Sequence, residues 1–92
     1  MIEYDPMKNE ENLTRHGLPL NFAELIFDGP FVEEEDRRRD YGETRFIATG
    51  PIDAFGDRIF VVVYTWREGV RRIISFRKAN DREVGKYRSN IA

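Results

Sequence analysis

Between Arg58 and Ala92 the chain carries nine Lys or Arg against three Asp or Glu, a net charge of +6 set among aromatic residues. Arg71, Arg72, Arg77 and Lys78 stand in the run VRRIISFRK, and Phe60, Tyr64 and Trp66 in the run just before it. A guanidinium presents a planar fork that matches two phosphate oxygens and stays charged at any working pH. Residues 1–57 carry a net charge of −8, so the total of −2 conceals a strongly polar molecule. A cationic lobe of this kind attracts a polyanion locally even when the global charge repels one.

Other chemistries find little support in the residue types. There is no cysteine, which excludes a disulfide framework, a thiolate metal site and a cysteine nucleophile. His16 is the only histidine, so a two-histidine acid–base mechanism is excluded. It stands just before Gly17 at an expected helix end, where a partly charged imidazole interacts favourably with the helix dipole. Glu33 to Asp36 form an acidic run, but consecutive strand residues point to opposite faces and do not converge on one ion. A solvated run is expected, with no metal and no other cofactor. The adjoining Arg37-Arg38-Arg39 suits a loop that docks either RNA or a protein partner.

These residues need elements to position them. Ninety-two residues with 40% hydrophobic and 13% aromatic content form one ordered domain, residues 1–92, with about one helix layer on one sheet. No stretch is long and apolar enough to span a membrane, and the amino terminus lacks the pattern of a signal peptide, so a cytoplasmic protein is expected. Ile2 to Tyr4 reads as a short edge strand. Asp5-Pro6 opens a helix that ends at His16 before Gly17, with Met7 and Leu13 as its narrow apolar contact. Asn21 and Glu24 make a capping box for a second helix, with Leu20 and Leu25 as its hydrophobic staple and Phe22, Leu25 and Ile26 on one side.

Strands are expected at Phe31–Glu35, Thr44–Thr49, Arg58–Trp66 and Val70–Lys78. The last two are joined by Glu68-Gly69 in a type I′ turn. Regular pairing of Arg67 with Val70 puts Ile59, Val61, Val63, Ile74 and Phe76 on a core face. Phe60, Val62, Tyr64 and Trp66 then share the other face with Arg71, Ile73, Ser75 and Arg77. A final helix opens at Asn80, capped by Glu83, with Val84 and Tyr87 on one face and fraying expected after Ser89.

The order of these features resembles the BrnT-type toxins of type II toxin–antitoxin systems. Asp5-Pro6-Met7-Lys8 with Asn12 and Arg15-His16-Gly17 is similar to that family's opening motif. Gly42-Glu43-Thr44-Arg45 through Gly50 is similar to its G-E-x-R strand. Val62-Val63-Tyr64-Thr65, Arg72 to Ala79, Glu83 and Tyr87 are similar to its ending. The resemblance implies an α+β fold of the RelE-like kind: an antiparallel sheet packed against two N-terminal helices, with a short C-terminal helix. It further implies a ribonuclease that inhibits translation by metal-independent RNA cleavage. A BrnA-type antitoxin with a ribbon-helix-helix domain would neutralise it, and operator DNA would be bound only through that complex.

By the same resemblance, Arg45 and Arg77 are expected at the scissile phosphate and Tyr87 at proton transfer or stacking. Arg72 and Lys78 would hold flanking phosphates, and Tyr64 would stack a base. The residues themselves leave alternatives open. Arg45 can pair with Glu43 or Asp40 on the surface, Tyr87 can belong to the core with Val84, Glu83 is accounted for as a cap, and Lys78 can simply end a strand. A non-catalytic RNA- or protein-binding module using the same basic face is the alternative to the enzyme.

Overall fold

The structure is a computed structural model that describes residues 1–91. Five strands form one mixed sheet in the order β1-β5-β4-β3-β2: β1 Ile2–Tyr4, β2 Val32–Asp36, β3 Arg45–Pro51, β4 Ile59–Arg67 and β5 Val70–Lys78. Helix α1, Pro6–His16, and a 3₁₀ segment, Leu20–Asp28, lie between β1 and β2, while α2, Asp81–Ile91, follows β5. The expected all-antiparallel sheet is corrected at one edge, where β1 runs parallel to β5 from Ile2↔Arg71 to Tyr4↔Ile73. The intervening helix makes that parallel return possible. No helix among the described residues is long and apolar enough to cross a membrane.

Local signals set most boundaries. Asp5 caps α1 by accepting from the Met7 N–H at 2.8 Å, and Gly17 closes it in the left-handed conformation at φ 71°. Asn80 and Glu83 form a reciprocal capping box on α2, which stays helical to Ile91 rather than fraying after Ser89. The Glu68-Gly69 turn has positive φ at both positions, 53° and 78°, as a type I′ hairpin requires.

Three expectations give way to tertiary contacts. The second helix is 3₁₀ rather than α and has no side-chain cap at its start. Its buried residues, Leu20, Ala23 and Ile26, recur every third position, and Phe22 is exposed. Glu24, freed from the expected capping box, pairs with the N-terminal amine at 2.9 Å. Helix α1 docks through asparagines, with Met7 and Leu13 facing outward. Asn12 Nδ2 donates to the carbonyls of Leu18 (2.8 Å) and Phe76 (2.7 Å), and its Oδ1 accepts from the Phe76 N–H (3.1 Å). Beyond Ile73 no strand among the described residues pairs with the outer edge of β5, and this buried amide serves as the missing partner.

The third difference is register. Pairing is regular from Arg67↔Val70 to Tyr64↔Ile73, then shifts so that Val63 faces Ser75 and Val61 faces Arg77. Ile74 is the extra residue of a β-bulge. A one-residue slip exchanges faces, so Phe76 joins Phe60, Val62, Tyr64 and Ile73 in the core beneath α1 and the 3₁₀ segment. Val61, Val63, Ser75 and Arg77 occupy the opposite face. Ile59 is buried with Val61 and Val63 as expected, whereas Ile74 is only half-buried and lies outside the core cluster.

Two stability changes follow. Asn12→Ala strips partners from a buried N–H and two carbonyls and should cost about 2–4 kcal/mol in urea unfolding; an unchanged midpoint would refute the role of this amide. Glu68→Asn places a residue better suited to positive φ in the turn and should gain about 0.5–1 kcal/mol in the same assay.

Candidate active site

The second face of the sheet and α2 enclose an open groove of about 770 Å³. Ile47, Thr49, Val61 and Val63 make its floor, Glu34, Asp36 and Arg38 one wall, and Glu83, Lys86 and Tyr87 of α2 the other, with Arg77 entering from β5. The floor is apolar because β4 is buried on both faces: Val61 is 1% and Val62 0% exposed. Gly50 admits the chain entering β2, where an added Cβ would meet Phe31 at 3.0 Å. Tyr87 then donates its hydroxyl to the Pro30 carbonyl, tying α2 to that same segment.

Arg77 is the central cation of the groove. Its two terminal nitrogens donate to Glu83 Oε1 at 2.7 Å and Oε2 at 2.8 Å, a bidentate fork about two-thirds shielded from water. Those bonds to Glu83 raise the Arg77 pKa, and in return hold the Glu83 carboxyl below its ordinary value. Glu83 also keeps its place in the capping box, accepting from the Asn80 N–H at 3.0 Å. The strand end and the helix start are thus joined through one carboxylate.

A second cluster lies at the end of β2. Asp36, with a side chain 1% exposed, accepts from Arg38 Nε and Nη2, both at 2.8 Å, and from the Tyr41 hydroxyl at 3.0 Å. The Arg38 hydrogen bonds pull the Asp36 pKa well below the carboxylate range. Arg38 is close enough to act electrostatically on both Arg77 and Glu83. Lys86 reaches Glu34 at 3.2 Å across the groove mouth.

The expected site residues are distributed unevenly. Arg77 and Tyr87 line the groove together, but Tyr87 is 6% exposed and burial raises its pKa. Arg45 is on the same sheet face but outside the groove, roughly 15 Å along from Arg77 by strand spacing. It pairs with Glu43 at 3.1 Å and packs its guanidinium 4.1 Å from the Tyr41 ring centre. Arg72 pairs with Glu3 on β1 at 2.6 Å, and Lys78 is exposed at the end of β5. Tyr64 is on the other face with no exposed surface, packed against Phe27, Phe46 and Trp66, and its hydroxyl donates to Glu33. Burial and that hydrogen bond raise its pKa.

Two groove residues carry more than the sequence suggested. Arg38 belongs to a run noticed for its charge, and Glu83 to a capping box that already accounted for it. His16 is the last residue of α1, in the basic last turn before Gly17 as expected; burial, then the charges of Arg15 and Arg77, lower its pKa. Among the described residues, no three His, Asp or Glu side chains are grouped to hold a metal ion.

Comparison with known proteins places this chain in a family. A family model described as "Ribonuclease toxin, BrnT, of type II toxin-antitoxin system" matches residues 4–83. Among solved structures, the crystal structure of the Brucella abortus ribonuclease toxin BrnT superposes with a TM-score of 0.63 at 23% identity. That match covers 87% of this chain and 96% of the Brucella chain, and it shows a shared fold. Comparison with curated proteins finds no match. With the family match spanning most of its length, the chain belongs to the BrnT family of ribonuclease toxins of type II toxin–antitoxin systems.

Proposed function

We propose that the chain is a metal-independent endoribonuclease with the α2 groove as its active site. The observation that carries this reading is the Arg77–Glu83 fork over an apolar floor. A guanidinium already shaped around two carboxylate oxygens is equally shaped for two phosphate oxygens. An RNA phosphate displaces Glu83 from Arg77, and Arg77 then stabilises the charge that grows as the 2′-hydroxyl attacks phosphorus. Once released, Glu83 loses the interaction that depresses its pKa and becomes a better acceptor for the 2′-hydroxyl proton. Attack forms the 2′-oxygen–phosphorus bond and breaks the 5′-oxygen–phosphorus bond; the leaving 5′-oxygen takes a proton from water, giving a 2′,3′-cyclic phosphate and a 5′-hydroxyl.

The remaining residues support rather than perform this step. Arg38 adds positive potential beside Arg77, and Tyr87 sets the height of α2 over the floor. Arg45 and Arg72, toward the hairpin end, and Lys78, at the far end of β5, hold flanking phosphates. The fold is of the RelE-like kind. Cleavage inhibits translation, and a BrnA-type antitoxin with a ribbon-helix-helix domain silences it, with operator DNA bound through that complex. The family assignment supports these statements.

The decisive test is cleavage of a defined RNA by the purified chain, with products analysed for cyclic phosphate ends. Arg77→Ala should lower the rate about 10²–10³-fold, with thermal melting confirming a folded variant. Equal cleavage by Arg77→Ala would reject the site, and a chelator that stops cleavage would reject metal independence. Intact RNA with salt-sensitive binding would favour the binding module. Glu83→Gln keeps a capping side chain but not the proton acceptor, and should lower the rate about 10²-fold.

The same variant has a pH signature. Glu83 titrates lower in the folded chain than in the unfolded one, so its stabilisation is full above the ordinary glutamate range and is lost as pH falls through the folded pKa. The stability gap between the parent and Glu83→Gln should therefore be largest near neutrality and close under acid, as read from urea unfolding at several pH values.

A further inference from the structure

The hairpin end of the sheet carries a second set of groups that the groove does not use. Trp66 is 49% exposed, the most open aromatic side chain among the described residues. Across the pair Trp66↔Arg71, the Arg71 guanidinium lies 4.7 Å from the Trp66 ring centre and 3.8 Å from that of Phe27. Arg71 makes no ion pair among the described residues, and its Nε is buried without an acceptor. Its polar neighbour, the Tyr64 hydroxyl, spends its own proton on Glu33. The other four arginines of the sheet, Arg45, Arg67, Arg72 and Arg77, each face a carboxylate.

We propose that Trp66 and Arg71 form a stacking subsite for single-stranded RNA, taking one unstacked base on the indole and the adjoining phosphate on the guanidinium. The assignment rests on the ribonuclease reading above and extends it to the opposite face of the sheet. An exposed indole edged by a cation with no carboxylate partner among the described residues is the pairing that base stacking and backbone attraction require. One open ring is too small an apolar area for the buried core of a protein interface.

Position also fits a strand leaving the groove. Trp66 is five residues along β4 from Val61, the partner of Arg77, or about 16 Å, and it faces the other way. Arg45 and Arg67 lie at the hairpin end on the groove face, both sharing Glu43 as counter-ion. The base on Trp66 is therefore several nucleotides from the phosphate on Arg77, and the RNA crosses the hairpin end to reach it.

Trp66 is the only tryptophan in the chain, so its emission reports the subsite directly. The probe is a 2′-O-methylated RNA of about ten nucleotides, which binds but lacks the attacking hydroxyl. Binding is followed by anisotropy of a label on the RNA and, in parallel, by tryptophan emission. The expected result is quenching that tracks binding and weakens with salt. Trp66→Ala should weaken binding about 5- to 100-fold, Arg71→Gln should weaken it too, and Trp66→Phe should retain most of the affinity with an unchanged melting temperature. If the parent cleaves RNA but its emission ignores the bound probe, or if Trp66→Ala binds like the parent, the subsite is wrong and the ribonuclease reading stands. Absence of both cleavage and binding overturns both. Emission that responds to a co-purifying protein and never to RNA makes this face a protein-docking surface and overturns the subsite.

Discussion

One extra residue in β5 governs the arrangement of everything downstream of it. Ile74 bulges out of the β4–β5 ladder, and every side chain after it changes face relative to regular pairing. Phe76 enters the core with Phe60 and Val62, and Arg77 enters the groove with Val61 and Val63. Without the bulge, Arg77 would lie opposite Phe60 and point into the apolar cluster beneath α1 and the 3₁₀ segment. A bulge leaves its strand locally unpaired, and here β5 is also the edge beyond β1. The Asn12 amide compensates by bonding both polar groups of Phe76. The register that exposes the candidate catalytic arginine is thus secured from the opposite layer of the molecule.

Charge pairing gives this fold a particular resting state. Arg77, Arg38 and Lys86 line one groove, yet Glu83, Asp36 and Glu34 neutralise each of them in turn. These ties have different characters. Asp36 is buried and bonded on several sides, so its partnership with Arg38 is a fixed part of the wall. Lys86–Glu34 is exposed and contributes little. Arg77–Glu83 lies between, shielded enough to shift both pKa values and open enough to exchange partners. The chain's strong segregation of charge in sequence therefore becomes local neutrality in this groove, where a polyanion would have to compete with those carboxylates.

Regular features near one another in sequence were legible without the fold. Asp5-Pro6 and Gly17 bound α1, Asn80 and Glu83 begin α2, and Glu68-Gly69 turns the hairpin, because each depends on bonds within a few residues. The 3₁₀ segment was not legible. Its capping box was present in sequence, but burial of Leu20, Ala23 and Ile26 against the sheet decided the period. Helix α1 likewise looked apolar at Met7 and Leu13, and it docks through Asn12 because an edge strand needed hydrogen bonds more than it needed another methyl group.

The sequence by itself determined the class of the molecule: the α+β element order, the arginines suited to phosphate, and motifs specific enough to indicate the family. Only the tertiary structure decided which of those residues meet. Arg77 bonds Glu83 in a groove that Arg38 also lines, whereas Arg45 lies at the far end of the same face and Tyr64 is sealed in the core on the other. Trp66, beside Tyr64 in the same strand pattern, is the aromatic left open. The physical reason is the bulge. Side-chain facing in a strand has a period of two, so a single inserted residue reverses it, and nothing in the residues flanking Ile74 marks the insertion until the core on both sides of the sheet has been filled.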